Sequence, residues 1–156
     1  MALVSGDEIT TLSHLVELPL VERLAGILLK HHWRLSAAES CTGGLVAASL
    51  TNLAGSSEWF ECGIVSYSNQ AKQSLLGVNS QTLESYGAVS QEVVAEMVAG
   101  LLTRTKVTTG VAVSGIAGPA GATANKPVGT VCIAWQHFDQ SYCETFYFSG
   151  DRQAVR

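Results

Sequence analysis

A serine, a tyrosine and a lysine surround one short apolar run in GSSEWFECGIVSYSNQAK, Gly55 to Lys72, and none of the chain's four histidines lies within it. If these residues do chemistry, it is hydrolysis without a Ser-His-Asp set. Ser57 precedes the run and Lys72 follows it on the next helix. A serine nucleophile needs a base, and a neutral lysine can serve, as Ser-Lys variants of the triad do. The lysine pKa, ~10.4 when free, then has to fall through burial or a nearby positive charge. Tyr67 can relay the proton or hold the lysine in place. The competing reading makes Lys72 a solvated helix lysine and Ser57 a cap, and the residues alone leave both open.

A second group of polar residues suits ligand binding. Four segments carry it: Glu39-Ser40-Cys41-Thr42-Gly43-Gly44, Tyr67-Ser68-Asn69, Ser114-Gly115-Ile116-Ala117-Gly118-Pro119, and Gly150-Asp151-Arg152. Gly43, Gly44, Gly115 and Gly118 let backbone N–H groups approach a ligand closely. A helix starting after Thr42-Gly43-Gly44 attracts an anion such as phosphate. Ser40, Thr42 and Ser114 offer hydroxyls, and Arg152 offers a fork that matches phosphate. Together they point to a small phosphorylated ligand. The alternative is that the glycines only make tight strand-to-helix turns.

The elements that would position these groups follow from periodicity. Leu12, Leu15, Val16, Leu20, Leu24 and Ile27-Leu28 recur at helical spacing and predict a helix from about Ile9 to Lys30, with Pro19 marking the start of its main part. Arg34 to Ala38 reads as a short strand, Leu45 to Leu53 as a helix, and Trp59 to Tyr67 as a strand. Ser68-Asn69 caps a helix that carries Lys72 and stops at Gly77. A short helix spans Ser80 to Tyr86, and Ser90 caps another over Gln91 to Thr103. Thr109 to Val113 is an apolar, β-branched strand, followed by a Gly/Ala/Pro loop from Ser114 to Gly129. Val128 to Gln136 and Ser141 to Phe148 form a hairpin about a turn at His137 to Gln140. Gly150-Asp151-Arg152 opens a last helix. This order implies a single α/β domain over residues 1–156 with a mixed, mainly parallel sheet. Ligands bind such sheets where strands end and helices begin, which puts the first three polar segments on one edge.

Composition narrows the function classes. A chain of 156 residues with 47% hydrophobic and 14% charged residues buries a core and is not disordered. A formal charge of −4 without a Lys/Arg cluster argues against nucleic acid. No apolar run is long enough to span a bilayer, and the N-terminus has no secretory pattern, so a cytoplasmic location is expected. Cys41, Cys62, Cys132 and Cys143 form no CxxC pair and read as reduced thiols. No cluster has metal-ligand spacing, so neither a metal nor another cofactor is expected.

Seven motifs in order carry a resemblance: AESCTGG (Ala38–Gly44), GSSEWF (Gly55–Phe60), YSNQAK (Tyr67–Lys72), GAVS (Gly87–Ser90), SGIAGP (Ser114–Pro119), KPVGTV (Lys126–Val131) and SGDRQAVR (Ser149–Arg156). From about residue 10 onward the chain resembles the CinA C-terminal domain family, the nicotinamide-nucleotide amidohydrolases. The resemblance implies a three-layer α/β/α sandwich and hydrolysis of nicotinamide mononucleotide (NMN) to nicotinic acid mononucleotide and ammonia. It makes Ser57 the nucleophile, Lys72 the base and Tyr67 the assisting hydroxyl. Ser40 is the rival nucleophile, because it lies before a helix N-terminus where an oxyanion can be stabilised. Ser40, Thr42, Gly43, Gly44, Asn69, Ser114, Gly115 and Arg152 match positions expected to line the nucleotide site. The family also implies a homo-oligomer. A competence-associated binding module without catalysis is the alternative in another functional class. Two departures stand out: Ser114 replaces the threonine common in TGIAGP, and the helix that family members carry after GDRxxVR is expected to be missing beyond Arg156.

Overall fold

The computed structural model describes residues 19–156, so the part of the first predicted helix from Ile9 to Leu18 lies outside the described residues. Helix α1 (Leu20–Lys30) follows Pro19, whose ring cannot continue a helix backwards, and buries Ala25 and Leu28. Strand β1 (Leu35–Glu39) is buried along its whole length. Helix α2 (Leu45–Thr51), a 3-10 turn (Ser56–Glu58), β2 (Phe60–Val65), α3 (Asn69–Leu76), α4 (Ser80–Tyr86) and α5 (Gln91–Thr105) come next. Strands β3 (Thr109–Gly115), β4 (Thr130–His137) and β5 (Gln140–Tyr147) and the short α6 (Arg152–Val155) complete the fold.

The five strands form one sheet in the order β2-β1-β3-β4-β5. β1 pairs in parallel with β2 and β3, while β3–β4 and β4–β5 are antiparallel. β4 alone therefore runs against the other four, as the alternation of helices and strands followed by a hairpin implies. Side chains alternate across the pleat, and each face acquires its own cover. Ala38, Ala112, Cys132 and Ala134 meet Val94, Met97, Val98 and Leu101 of α5 on one face. Leu35 packs with Ala25, Leu28, Leu50 and Trp59 on the other, under α1 and α2. Helices thus lie on both sides of the sheet.

The α5 face of the sheet carries small residues, so the helix approaches closely. A Cβ added at Gly110 would lie 2.1 Å from the Leu102 side chain. Gly100, in the middle of α5, is tighter still: a Cβ there would sit 1.7 Å from the Leu76 carbonyl oxygen at the end of α3. That crossing fixes α3, the helix that carries Lys72, against α5.

Both predicted serine caps are in place, and an aspartate caps the last helix. Ser68 accepts from the Ala71 N–H, Ser90 from the Val93 N–H, and Asp151 from the Gln153 and Ala154 N–H groups. The hairpin turn is tighter than expected, because β4 and β5 are joined across Phe138-Asp139 alone. No described helix is long and apolar enough to cross a membrane.

Candidate active site

β1 and β3 run side by side and end together, so the loops after them meet. Ser40 follows β1, and its N–H donates to the Val113 carbonyl of β3 (3.0 Å). Ser66 follows β2, and its N–H donates to the Glu39 carbonyl (2.8 Å). Lys72, one turn into α3, points back over these strand ends. Its Nζ donates to Ser40 Oγ (2.9 Å) and to the Ser66 carbonyl (2.8 Å). A closed hydrogen-bonded ring results: Glu39 main chain, Ser40 side chain, Lys72 ammonium, Ser66 main chain and back. Lys72 is 1% exposed, and Glu39, Ser40 and Ser66 are also buried.

Burial holds the Lys72 pKa below the usual lysine value, with a smaller opposing influence from Cys41. No carboxylate lies within ion-pair distance of the ammonium among the described residues. The same burial pushes the Cys41 thiol above its usual value, against the pull of its own and the Thr42 N–H groups and of Lys72 and Arg156. Cys41 is therefore a thiol beside a lysine that favours neutrality, and the hydroxyl within the lysine's reach belongs to Ser40.

The loop from Ser40 to Gly44 is held from two sides. Glu39 sends its carboxylate to the start of α2, where Oε2 accepts from the Gly44 and Val46 N–H groups (2.9 and 3.1 Å) and Oε1 from Ala47 (2.8 Å). Arg156 donates through Nε to the Cys41 carbonyl (3.0 Å) and through Nη2 to the Thr42 carbonyl (3.1 Å). Gly43 and Gly44 take φ of 61° and 101°, left-handed values that favour glycine. A Cβ on Gly43 would also lie 3.2 Å from Arg156 Nη2. Among the described residues, the Cys41 and Thr42 N–H groups donate to no backbone carbonyl and face the Cys41 sulfur. Two main-chain donors directly after Ser40 are left for a ligand.

The cavity above Ser40 has a volume of about 200 Å³, and Cys41, Lys72, Ser114, Gly115, Tyr67 and Arg152 help to line it. Ser114 donates its proton to the Ala88 carbonyl (2.7 Å), which ties β3 to the opposite wall. Arg152 and Tyr67 join across the cavity: Nη2 donates to Tyr67 Oη (2.9 Å) and Nη1 to the Gly118 carbonyl (2.8 Å).

Four expectations from the sequence change here. Ser57 is not beside Lys72. It lies in the 3-10 turn before β2, exposed, with its carbonyl accepting from Arg34 Nη2 (3.1 Å). Lys72 lies past the other end of β2, and six strand residues at ~3.3 Å each separate the two by about 20 Å. The hydroxyl at the lysine is that of Ser40. The N-terminus of α2 is likewise not an open phosphate site, because the Glu39 carboxylate already occupies it. Asn69 is exposed at the start of α3 and does not line the cavity. Thr42 is buried with its hydroxyl unpartnered, outside the cavity lining. Glu39, Ser66 and Arg156 had no assigned role in the sequence reading. For Glu39 a signal existed: an acidic residue closing a small apolar strand, LSAAE, has to find donors where it is buried.

Among the described residues, no three His, Cys, Asp or Glu side chains gather as a metal site. The profile of the CinA C-terminal domain matches residues 17–156. A protein from Enterobacter agglomerans named nicotinamide-nucleotide amidohydrolase PncC is 54% identical over 125 residues, 80% of this chain and 76% of its own. The protein of the same name from Pseudomonas putida is 45% identical over 96% of this chain and 89% of its own. Other relatives are longer, and the chain spans 32% of a CinA-like protein from Syntrophobacter fumaroxidans. The crystal structure of competence damage-inducible protein A from Klebsiella pneumoniae superimposes with a TM-score of 0.85 at 39% identity, covering 87% of this chain and 84% of that one. The chain belongs to the CinA C-terminal domain family.

Proposed function

We propose that the protein is a nicotinamide-nucleotide amidohydrolase in which Ser40 is the nucleophile and Lys72 its base. The observation that carries this reading is the 2.9 Å contact between Ser40 Oγ and a buried lysine whose pKa is lowered. The 54% identical relative bearing that name supplies the substrate. Neutral Lys72 takes the Ser40 proton while Oγ attacks the carboxamide carbon of NMN. The Ser66 carbonyl keeps an N–H of Lys72 and so aims its lone pair at Oγ. The oxyanion meets the Cys41 and Thr42 N–H groups, which have no backbone acceptor; a single such donor is commonly worth ~10²–10³ in rate. Lys72 then returns its proton to the departing amine, and ammonia leaves an acyl-Ser40. Water, deprotonated by Lys72, releases nicotinic acid mononucleotide and restores Ser40.

Ammonia release from NMN tests this assignment. Ser40→Ala and Lys72→Met are expected to lose at least ~10³-fold in kcat, as removal of a triad member does. Ser57→Ala is expected to stay within about twofold of the parent, as exposed positions usually do. Turnover that survives in Ser40→Ala and falls in Ser57→Ala would reverse the two roles.

A further inference from the structure

Resting on that reading of the reaction, we infer that Lys126 and the main chain of Ala88-Val89 form the subsite for the 5′-phosphate of the nucleotide. The Ser40 cavity, at about 200 Å³, is smaller than the ~300–1,000 Å³ of sites that enclose a drug-sized ligand. It has room for the ring that bears the carboxamide, and the ribose phosphate has to leave it. Two exits adjoin it. One passes Arg152 into a space of about 440 Å³ lined by Leu45, Asp151, Gln153 and Arg156. The other passes Ala88 and Val89, which line both chambers, into a groove of about 490 Å³ reaching Thr123, Asn125 and Lys126.

The first exit is poorly suited to a phosphate dianion. The Asp151 carboxylate lines it. Arg152 gives one N–H each from Nη1 and Nη2 to Gly118 and Tyr67, and Arg156 one each from Nε and Nη2 to the Cys41 and Thr42 carbonyls, so both guanidinium groups are held in place by the protein. The second exit has no acidic residue in its lining. Its wall is built with its acceptors turned away: three consecutive carbonyls are each taken by a side chain. Lys126 Nζ donates to Tyr86 O (2.7 Å), Ser90 Oγ to Gly87 O (2.9 Å) and Ser114 Oγ to Ala88 O (2.7 Å). Among the described residues, the Ala88 and Val89 N–H groups donate to no protein acceptor. Lys126 is half-buried, has no carboxylate within ion-pair distance among the described residues, and keeps two ammonium protons beyond the one given to Tyr86. A cation and main-chain donors without competing acceptors are what a phosphate monoester requires. The groove begins at a wall that Ser114 ties to the Ser40 chamber.

The test compares NMN with nicotinamide riboside, which lacks the phosphate. The ratio of their kcat/KM values is expected to fall about tenfold or more in Lys126→Ala, the loss of a charge-assisted bond, and to recover partly in Lys126→Arg. Using the ratio cancels any loosening of the wall, which affects both substrates. An unchanged ratio in Lys126→Ala, or a ratio that collapses in Arg152→Ala instead, overturns the assignment. Calorimetric titration with ribose 5-phosphate separates this subsite from the reaction itself. If the parent binds that probe and Lys126→Ala does not, the subsite stands even where NMN is not hydrolysed. Binding retained in Lys126→Ala, or absent from the parent, removes it.

Discussion

Lys72 has to be neutral when Ser40 attacks, and its burial favours that state. kcat/KM should therefore rise with pH along a limb that lies below the ordinary lysine range, and pH-rate profiles of the parent should show it. Stability carries the same signature with a definite sign. The unfolded chain protonates Lys72 at the usual value and the folded chain only at a lower one. Between the two the unfolded state binds more protons, so stability rises as pH rises through that window. The stability difference between Lys72→Met and the parent should favour the variant most below the window and shrink across it; a flat difference would mean the buried lysine does not titrate there. Glu39 is the other residue with a measurable consequence. Glu39→Gln places an amide donor against backbone donors, and a loss of about 1–3 kcal/mol is expected in urea unfolding. The residue types of the site were legible in the sequence, and their partnership only partly so. Ser57 and Lys72 both border β2, yet a strand keeps its two flanks apart, whereas Ser40 and Lys72, 32 positions apart, are joined by parallel pairing.

At the level of elements, caps and periodicity carried most of the information. Ser68, Ser90 and Asp151 stand where hydroxyl or carboxylate caps are expected, and β3 lies at the run of β-branched residues. Gly100 was silent in the sequence, because nothing local explains a glycine in the middle of a helix. The Leu76 carbonyl explains it. Gly100→Ala should gain about 1 kcal/mol of helix propensity and lose more to overpacking, typically ~1–3 kcal/mol. A net destabilisation is expected in thermal unfolding, together with reduced turnover, since the displaced element is the one that carries Lys72. The anion-binding promise of the α2 N-terminus failed for a related reason: the residue that satisfies it lies on the preceding strand, five to eight positions back.

For the whole molecule, the alternation of helix and strand with a closing hairpin was enough to imply the mixed sheet and its shared edge. Layering on both faces came from the family resemblance and is present in the structure. Ligand binding should be felt globally. NMN at 100-fold over its Kd should raise the stability of Ser40→Ala by ~2.7 kcal/mol, read as a thermal shift without turnover. The anchoring of the Ser40 loop has one more outcome, in time rather than in space. Its long-range fasteners come from Lys72 and, across 115 positions, from Arg156. Contacts of such long sequence separation form late, after local helices and the burial of Trp59. In a refolding experiment, indole fluorescence should recover before amidase activity, with competence the last property the chain regains.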